Sequence, residues 1–158
     1  MKLKKLALKN FRCYDDIEIE FEDKLTVIVG ENGKGKSAIF DGIAISLAPY
    51  MEAFNYVGRK VNKADIRRVP IYDETNKEIV KMEKRLPVVF ALDAACGEEE
   101  LRGQITYDGK EISYPVNDFK KYAQAMQSFV AEETNTVLPL FAYYGTSRIW
   151  VDSNLLKE

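Results

Sequence analysis

Polar and apolar residues alternate through Lys2 to Lys9, where Leu3, Leu6 and Leu8 sit among lysines, and again through Asp16 to Phe21, where Ile17, Ile19 and Phe21 alternate with acids. Successive side chains of a strand point to opposite faces, so each stretch predicts a strand with one buried face. Leu25 to Val29 is nearly continuous in apolar residues, the pattern of a buried strand in a parallel sheet. Gly30 to Gly35 breaks that run. From Lys36 a helix is predicted that carries Ile39, Ile43, Ile45 and Leu47 toward Pro49.

Glu52 to Arg68 is mixed and basic and closes at Pro70, which predicts a loop with a short helical turn. Strands are predicted at Glu78 to Met82, Pro87 to Leu92, Gln104 to Tyr107 and Lys110 to Tyr114. Between the last two, Asp108-Gly109 predicts a two-residue hairpin with positive φ at both central positions. Asn117 is the expected N-cap of a helix to about Glu133, with Phe119, Tyr122, Ala123, Met126, Phe129 and Val130 on one apolar face. Leu138 to Tyr144 reads as a final buried strand.

Composition narrows the chemistry. The 158 residues are 46% hydrophobic, enough to bury roughly two thirds of the surface an unfolded chain exposes, so one globular domain is expected. Lys and Arg number 23 against 25 Asp and Glu, a net charge of −2 that disfavours disorder and a wholly basic nucleic-acid binder. Residues 1–85 hold 17 basic and 14 acidic groups and residues 86–158 hold 6 and 11, so a polyanion-facing surface belongs in the N-terminal half if there is one. Histidine is absent, which excludes Ser-His-Asp and Cys-His catalysis and His-ligated zinc from this chain alone. Cys13 and Cys96 are too few for a four-thiolate metal site or a disulfide framework, which suits a reducing cytoplasm. The start, MKLKKLALKNF, has no apolar run of signal-peptide length. Ile39 to Tyr50, interrupted by Asp41 and Pro49, falls short of the roughly 20 residues of a bilayer span, so a soluble, cytoplasmic protein with no membrane partner is expected.

One string carries strong chemistry. Gly30-Glu31-Asn32-Gly33-Lys34-Gly35-Lys36-Ser37 fits the P-loop pattern G-x-x-x-x-G-K-[ST] between an apolar strand and a helix. The glycines let backbone N–H groups converge on phosphate oxygens at a helix N-terminus. Lys36 is expected to reach the β- and γ-phosphates and Ser37 to hold Mg²⁺, with Ala38 completing the nucleotide-binding set. Asn62-Lys63-Ala64-Asp65 fits the N-K-x-D element that reads guanine, but it lies only 25 residues past Ser37 and does not end a buried strand, so it is taken as coincidence.

The flanking residues carry a resemblance. LALKNFRCYDDIEIEF followed by LTVIVGENGKGKSAIFDGIAISL resembles the N-terminal lobe of ABC-type ATPases of the RecF and SMC class. LPLFAYYGTSRIW is similar to a narrower group of bacterial ATP-binding proteins that includes the Septu-type anti-phage ATPases. The resemblance implies an α/β P-loop NTPase, an ABC-ATPase N-terminal lobe with a mixed sheet around the P-loop helix and an antiparallel β-subdomain. It implies one domain over 1–158: a P-loop core at 1–55, an antiparallel region at about 77–115, a helix at about 117–133 and a Q-loop-like strand end at 138–150. Asn10-Phe11-Arg12 matches the family's N-F-R stretch, which implies that Arg12 lies near the nucleotide phosphates. Tyr143, Tyr144, Gly145, Thr146 and Arg148 fall where the family has its Q-loop, although no Gln follows Gln127, so Thr146 or Arg148 would have to substitute.

The family's signature, its Walker B run ending in Asp-Glu and its switch histidine are absent, and the nearest imitation, LPVVFALD at Leu86 to Asp93, is followed by Ala94. The expectation is therefore an ATP- and Mg²⁺-binding lobe whose C-terminal ATPase lobe is missing, from a fragment or a degenerate gene product. Such a lobe binds nucleotide but is incomplete for hydrolysis. The complete protein is expected to form a homodimer and to act on DNA, or with a nuclease partner, in genome maintenance or phage defence. Arg59, Lys60, Lys63, Arg67 and Arg68 are the candidate DNA contacts. The alternatives are a complete small GTPase or kinase, with Asp41, Asp65, Asp73 and Asp93 as the available carboxylates, and an ATP-gated regulatory module.

Overall fold

In the computed structural model, residues 1–75, 78–132 and 137–144 are described. β1 (Lys2–Phe11) and β2 (Tyr14–Glu20) form a hairpin, and the glycine loop leads into α1 (Lys36–Ser46) and α2 (Ala48–Ala53). A 3-10 turn at Lys63–Asp65 precedes β3 (Arg68–Tyr72) and β4 (Ile79–Lys84). β5 (Val88–Cys96), β6 (Glu99–Tyr107) and β7 (Ile112–Asn117) follow, then α3 (Asp118–Glu132).

Five strands make one sheet in the order β2-β1-β5-β6-β7, every neighbouring pair antiparallel. The register sets Ile17, Leu8, Phe90 and Ile105 in one row and Ile19, Leu6, Leu92 and Gly103 in the next. Residues directly opposite share a face, so these rows form a continuous apolar surface. The helices cover it: α1 lies on β5 and β6, α3 on β6, and α2 against α3. Leu6, Leu8, Phe90, Leu92, Ile45 and Phe119 are buried there, and Phe11 meets Phe90 edge to face at 4.9 Å. The other face alternates to Lys5, Glu18, Ala91 and Asp93, with Lys5 paired to Glu18 at 2.6 Å. Two glycines let helices approach the sheet. A Cβ on Gly103 would stand 2.6 Å from the Phe119 ring, and one on Gly42 2.8 Å from Leu8.

Several expectations need correction. Leu25 to Val29 forms no strand, because no strand among the described residues lies beside it to complete a ladder. Leu25, Val27 and Val29 are therefore 73, 68 and 83% exposed. Leu138 to Tyr144 likewise forms no strand, and Leu140 is exposed. The sheet under the P-loop helix is antiparallel where a mixed one was expected. The expected antiparallel region at 77–115 is divided: β5 to β7 extend the sheet of β1 and β2, whereas β4 pairs with β3 in a separate two-stranded ribbon. β3 was not predicted: the expected loop over Glu52 to Arg68 was closed at Pro70, but a two-stranded ribbon has free edges that tolerate a missing N–H.

The hairpin lies where Asp108-Gly109 placed it but is built differently. Tyr107 pairs with Ile112, so the connection has four residues, and of Asp108 and Gly109 only Gly109 has positive φ. Asp108 Oδ1 accepts from the N–H groups of Lys110 and Glu111 at 2.8 and 2.7 Å. The bonds from Glu111 and Lys110 hold the Asp108 carboxyl below its ordinary pKa. Asn117 caps α3 as expected, its Oδ1 accepting from Lys120 N–H at 3.2 Å. The expected apolar face is buried only at Phe119 and Ala123, while Phe129 and Val130 are about half exposed. Glu133, the expected helix end, lies outside the described residues.

Candidate functional site

The glycine loop stands at the N-terminus of α1. Gly33 and Gly35 have φ of +81° and +93°, which side chains beyond hydrogen rarely adopt. Gly35 is fixed by space as well: a Cβ there would press on Cys13 Sγ and stand 2.7 Å from the Tyr14 hydroxyl. The β1–β2 turn thus packs directly against the loop, and Tyr14 OH reaches Lys34 O at 3.5 Å. Burial raises the Tyr14 phenol above its ordinary pKa, and Cys13 adds to this. Ala38 N–H donates to Gly35 O at 2.8 Å and starts the helix, with its methyl buried. Lys36 Nζ donates to Gly30 O at 2.6 Å and Glu31 O at 2.7 Å, so its ammonium is drawn back over the loop. Glu31, Asn32, Gly33, Lys34 and Ser37 are exposed at the helix end, where unpaired N–H groups and the helix dipole favour an anion.

Behind the loop lies a charge network. Arg12, held at φ +51°, pairs with Asp41 of α1 at 2.6 Å and with Asp65 at 2.9 Å. Arg59 stands 3.5 Å from both carboxylates, and Tyr143 OH donates to Asp41 Oδ1 at 2.6 Å. Burial works to lower the Arg12 pKa, but its bonds to Asp41 and Asp65 outweigh it and hold the proton more firmly than usual. The Arg12 guanidinium is therefore committed to two carboxylates here, one of them on the P-loop helix.

The N-K-x-D string acquires a structural role. Asn62 Oδ1 accepts from Ala64 N–H at 2.8 Å and Asp65 Oδ2 accepts from Asn62 N–H at 3.1 Å, a reciprocal capping box on the 3-10 turn. With Oδ1 on Arg12 and its side chain 1% exposed, Asp65 has no free acceptor to offer a guanine. Asp41 and Asp65 were not recognised from sequence as partners of Arg12. The local signal was the three-residue spacing of Asn62 and Asp65, which marks a cap.

The basic segment divides. Arg59 belongs to the network, Lys60 lies 3.5 Å from Glu52, and Arg67 donates to Cys13 O and lies 3.7 Å from Asp15. Lys63 and Arg68 are exposed and make no ion pair among the described residues. Asp93 projects from β5 on the sheet face opposite α1, so LPVVFALD delivers no carboxylate to the loop. Tyr144 is exposed, whereas Gly145, Thr146 and Arg148 lie outside the described residues. No described helix is long and apolar enough to cross a membrane.

Over 47 residues the chain is 49% identical to the DNA double-strand break repair Rad50 ATPase of Saccharolobus solfataricus, a stretch covering 30% of this chain and 5% of that protein. It is 44% identical over 45 residues to the DNA replication and repair protein RecF of Oceanobacillus iheyensis, covering 28% of this chain and 12% of that protein. It is 49% identical over 45 residues to structural maintenance of chromosomes protein 6 of Saccharomyces cerevisiae, covering 28% and 4%. The chain thus matches only a small part of each relative's length. The match that spans the sequence is to a family described as AAA domain, over residues 5–157, and with the glycine loop seated on its helix the chain belongs to that family.

Proposed function

We propose that this chain is the ATP-binding part of a RecF/SMC-like ATPase that works on DNA. The observation that carries the reading is the Gly30–Ser37 loop, with its two left-handed glycines, Lys36 at the helix start and the Arg12 turn packed behind. Lys36 would exchange its two loop carbonyls for phosphate oxygens, and the Ser37 hydroxyl would hold Mg²⁺. Bound ATP and Mg²⁺ supply the phosphoryl chemistry, and the chain contributes binding and orientation. The relatives named for DNA repair support DNA as the substrate. Phage defence with a nuclease partner rests on LPLFAYYGTSRIW alone.

Hydrolysis also needs a second metal ligand and a group that positions water. Asp41 and Asp65 are paired with Arg12 and Arg59, and Asp93 lies across the sheet, so none of these three supplies the missing groups, and on this reading residues beyond the described ones complete the site, in a homodimer of the full protein. The same engagements argue against a self-sufficient kinase or GTPase.

Calorimetry with ATP and GTP, with and without Mg²⁺, tests the reading alongside phosphate release and the Lys36→Ala variant. ATP binding that the variant abolishes, without turnover by the chain alone, is expected. A GTP preference, or turnover by the monomer, overturns it.

A further inference from the structure

The ribbon of β3 and β4 shares no ladder with the main sheet. Its register sets Arg68 opposite Lys84, Pro70 opposite Met82 and Tyr72 opposite Ile79. Opposed residues project to the same side, so Arg68, Lys84, Pro70 and Met82, with Tyr72 by alternation along β3, form one face, while Val69, Ile71, Lys81 and Glu83 form the other; the register shifts between Ile71 and Tyr72, where an irregularity brings Ile79 opposite Tyr72. The first face is open: Arg68 and Lys84 are exposed, and Tyr72 and Met82 are at least half exposed. It bears no carboxylate. Glu83 is on the far face and pairs with Arg85 at 3.1 Å, while Asp73, Glu74 and Glu78 are confined to the turn end, where Asp73 N–H donates to Glu78 O.

Like charges directly opposed on a sheet repel, and Arg68 and Lys84 face each other with no ion pair among the described residues. An anion lying across both removes the repulsion. The face is a strip of cation pair, proline, methionine and tyrosine with no enclosing wall, so it suits an extended polyanion that also offers flat apolar groups. Nucleic acid does so, with phosphates for the cations and bases for an aromatic ring, and a two-stranded ribbon is also narrow enough to enter a major groove.

We infer that the β3–β4 ribbon is a DNA-binding surface, with Arg68 and Lys84 on backbone phosphates and Tyr72 and Met82 against sugar or base. The inference rests on the proposed action on DNA and assigns it to residues outside the nucleotide loop itself.

Fluorescence anisotropy of the full chain with labelled duplex and with single-stranded DNA tests it, over a salt series. Arg68→Glu with Lys84→Glu is expected to weaken binding by at least about tenfold and to reduce the slope of log affinity against log salt by about 1.8 for duplex and about 1.4 for single-stranded DNA, the share of two phosphate contacts. Arg68→Gln with Lys84→Gln gives a smaller loss in the same direction. Tyr72→Ala weakens the single strand more than the duplex if bases stack on it, and equal weakening of both places the ring on the sugar; either result supports the surface. Unchanged affinity of the charge variants for both DNA forms overturns the inference, as does failure of the unsubstituted chain to bind either form at low salt. ATP binding measured on the same samples separates the two readings, since it depends on Lys36 and not on the ribbon.

Discussion

Arg12 and Asp65, 53 residues apart in sequence, are joined at two points: Nε lies 3.0 Å and Nη2 2.9 Å from the same carboxylate oxygen, Oδ1. Backbone reinforces the link, since Arg12 N–H donates to Asp65 O at 2.9 Å and Arg67 N–H to Asn10 O at 2.9 Å. The turn that presses on Gly35 is thereby tied to the segment that caps itself with Asn62. Removing Arg12 leaves Asp65 buried with Arg59, at 3.5 Å, as its nearest cation and the Asn62 N–H on Oδ2.

Arg12→Ala is therefore expected to destabilise the fold by about 3 kcal/mol, the order found when one partner of a buried pair is deleted. Urea unfolding of Arg12→Ala, Asp65→Asn and the double variant measures this. The double variant is expected to lose much less than the sum of the two, because the second deletion removes a charge already unpaired. Strict additivity would mean that the pair does not interact as the distances indicate.

What could be read from sequence was what depends on neighbours along the chain. The glycine loop was legible because φ above zero, a helix N-terminus and a lysine are all specified within Gly30 to Ser37. The alternations of β1 and β2 were legible because each strand has one buried face. Leu25 to Val29 has the composition of a buried strand, but a ladder needs a partner, and composition does not say whether one is present. At Asp108-Gly109 the turn was found and its type was not, since the Asp108 side chain satisfies the N–H groups of Lys110 and Glu111 in a longer loop. The roles of Asp41 and Asp65 depend on Arg12 reaching both at once, a relation among three distant positions that no local pattern contains.

Gly103 lies just outside the strand predicted at Gln104 to Tyr107 and was given no role, yet it decides how α3 seats. The Phe119 ring is fully buried over it, and a methyl there would stand 2.6 Å from the ring, too close for contact. Gly103→Ala is expected to lower stability by about 2 kcal/mol, although alanine is the better residue for a strand interior. Phe119→Leu costs stability by itself, but in the Gly103→Ala background its cost is expected to shrink, because the smaller side chain makes room. Chemical denaturation of the four combinations checks it. A Gly103→Ala protein as stable as the parent would refute the close seating of α3.

Alkaline pH reports on the tyrosines. Burial raises the phenols of Tyr14, Tyr50, Tyr114, Tyr122 and Tyr143, and at Tyr122 the 3.0 Å hydrogen bond to Cys96 adds to it. A folded pKa above the unfolded one means that the native state holds the neutral phenol more tightly. That stability is fully present below the unfolded value of about 10 and is lost as pH rises through the higher folded values. The urea midpoint is expected to fall above pH about 10, and to fall less steeply in Tyr122→Phe, which has no phenol to ionise. Equal slopes in the two proteins would show that Tyr122 carries none of the effect.

Leu25, Val27 and Val29 are exposed on a segment with no ladder on either side among the described residues, so both apolar side chains and peptide groups stand ready to pair. Such an edge recruits another strand when one is available, and in a purified chain another copy is the nearest source. Self-association that grows with protein concentration is expected in sedimentation velocity. Leu25→Glu with Val27→Lys is expected to suppress it, since charges on an exposed strand deter pairing, while changing unfolding stability by no more than about 0.5 kcal/mol because neither side chain is buried. If the variant associates as the parent does, the contact lies elsewhere. A loss of several kcal/mol would instead mean that Leu25 and Val27 are buried, and would refute the free edge.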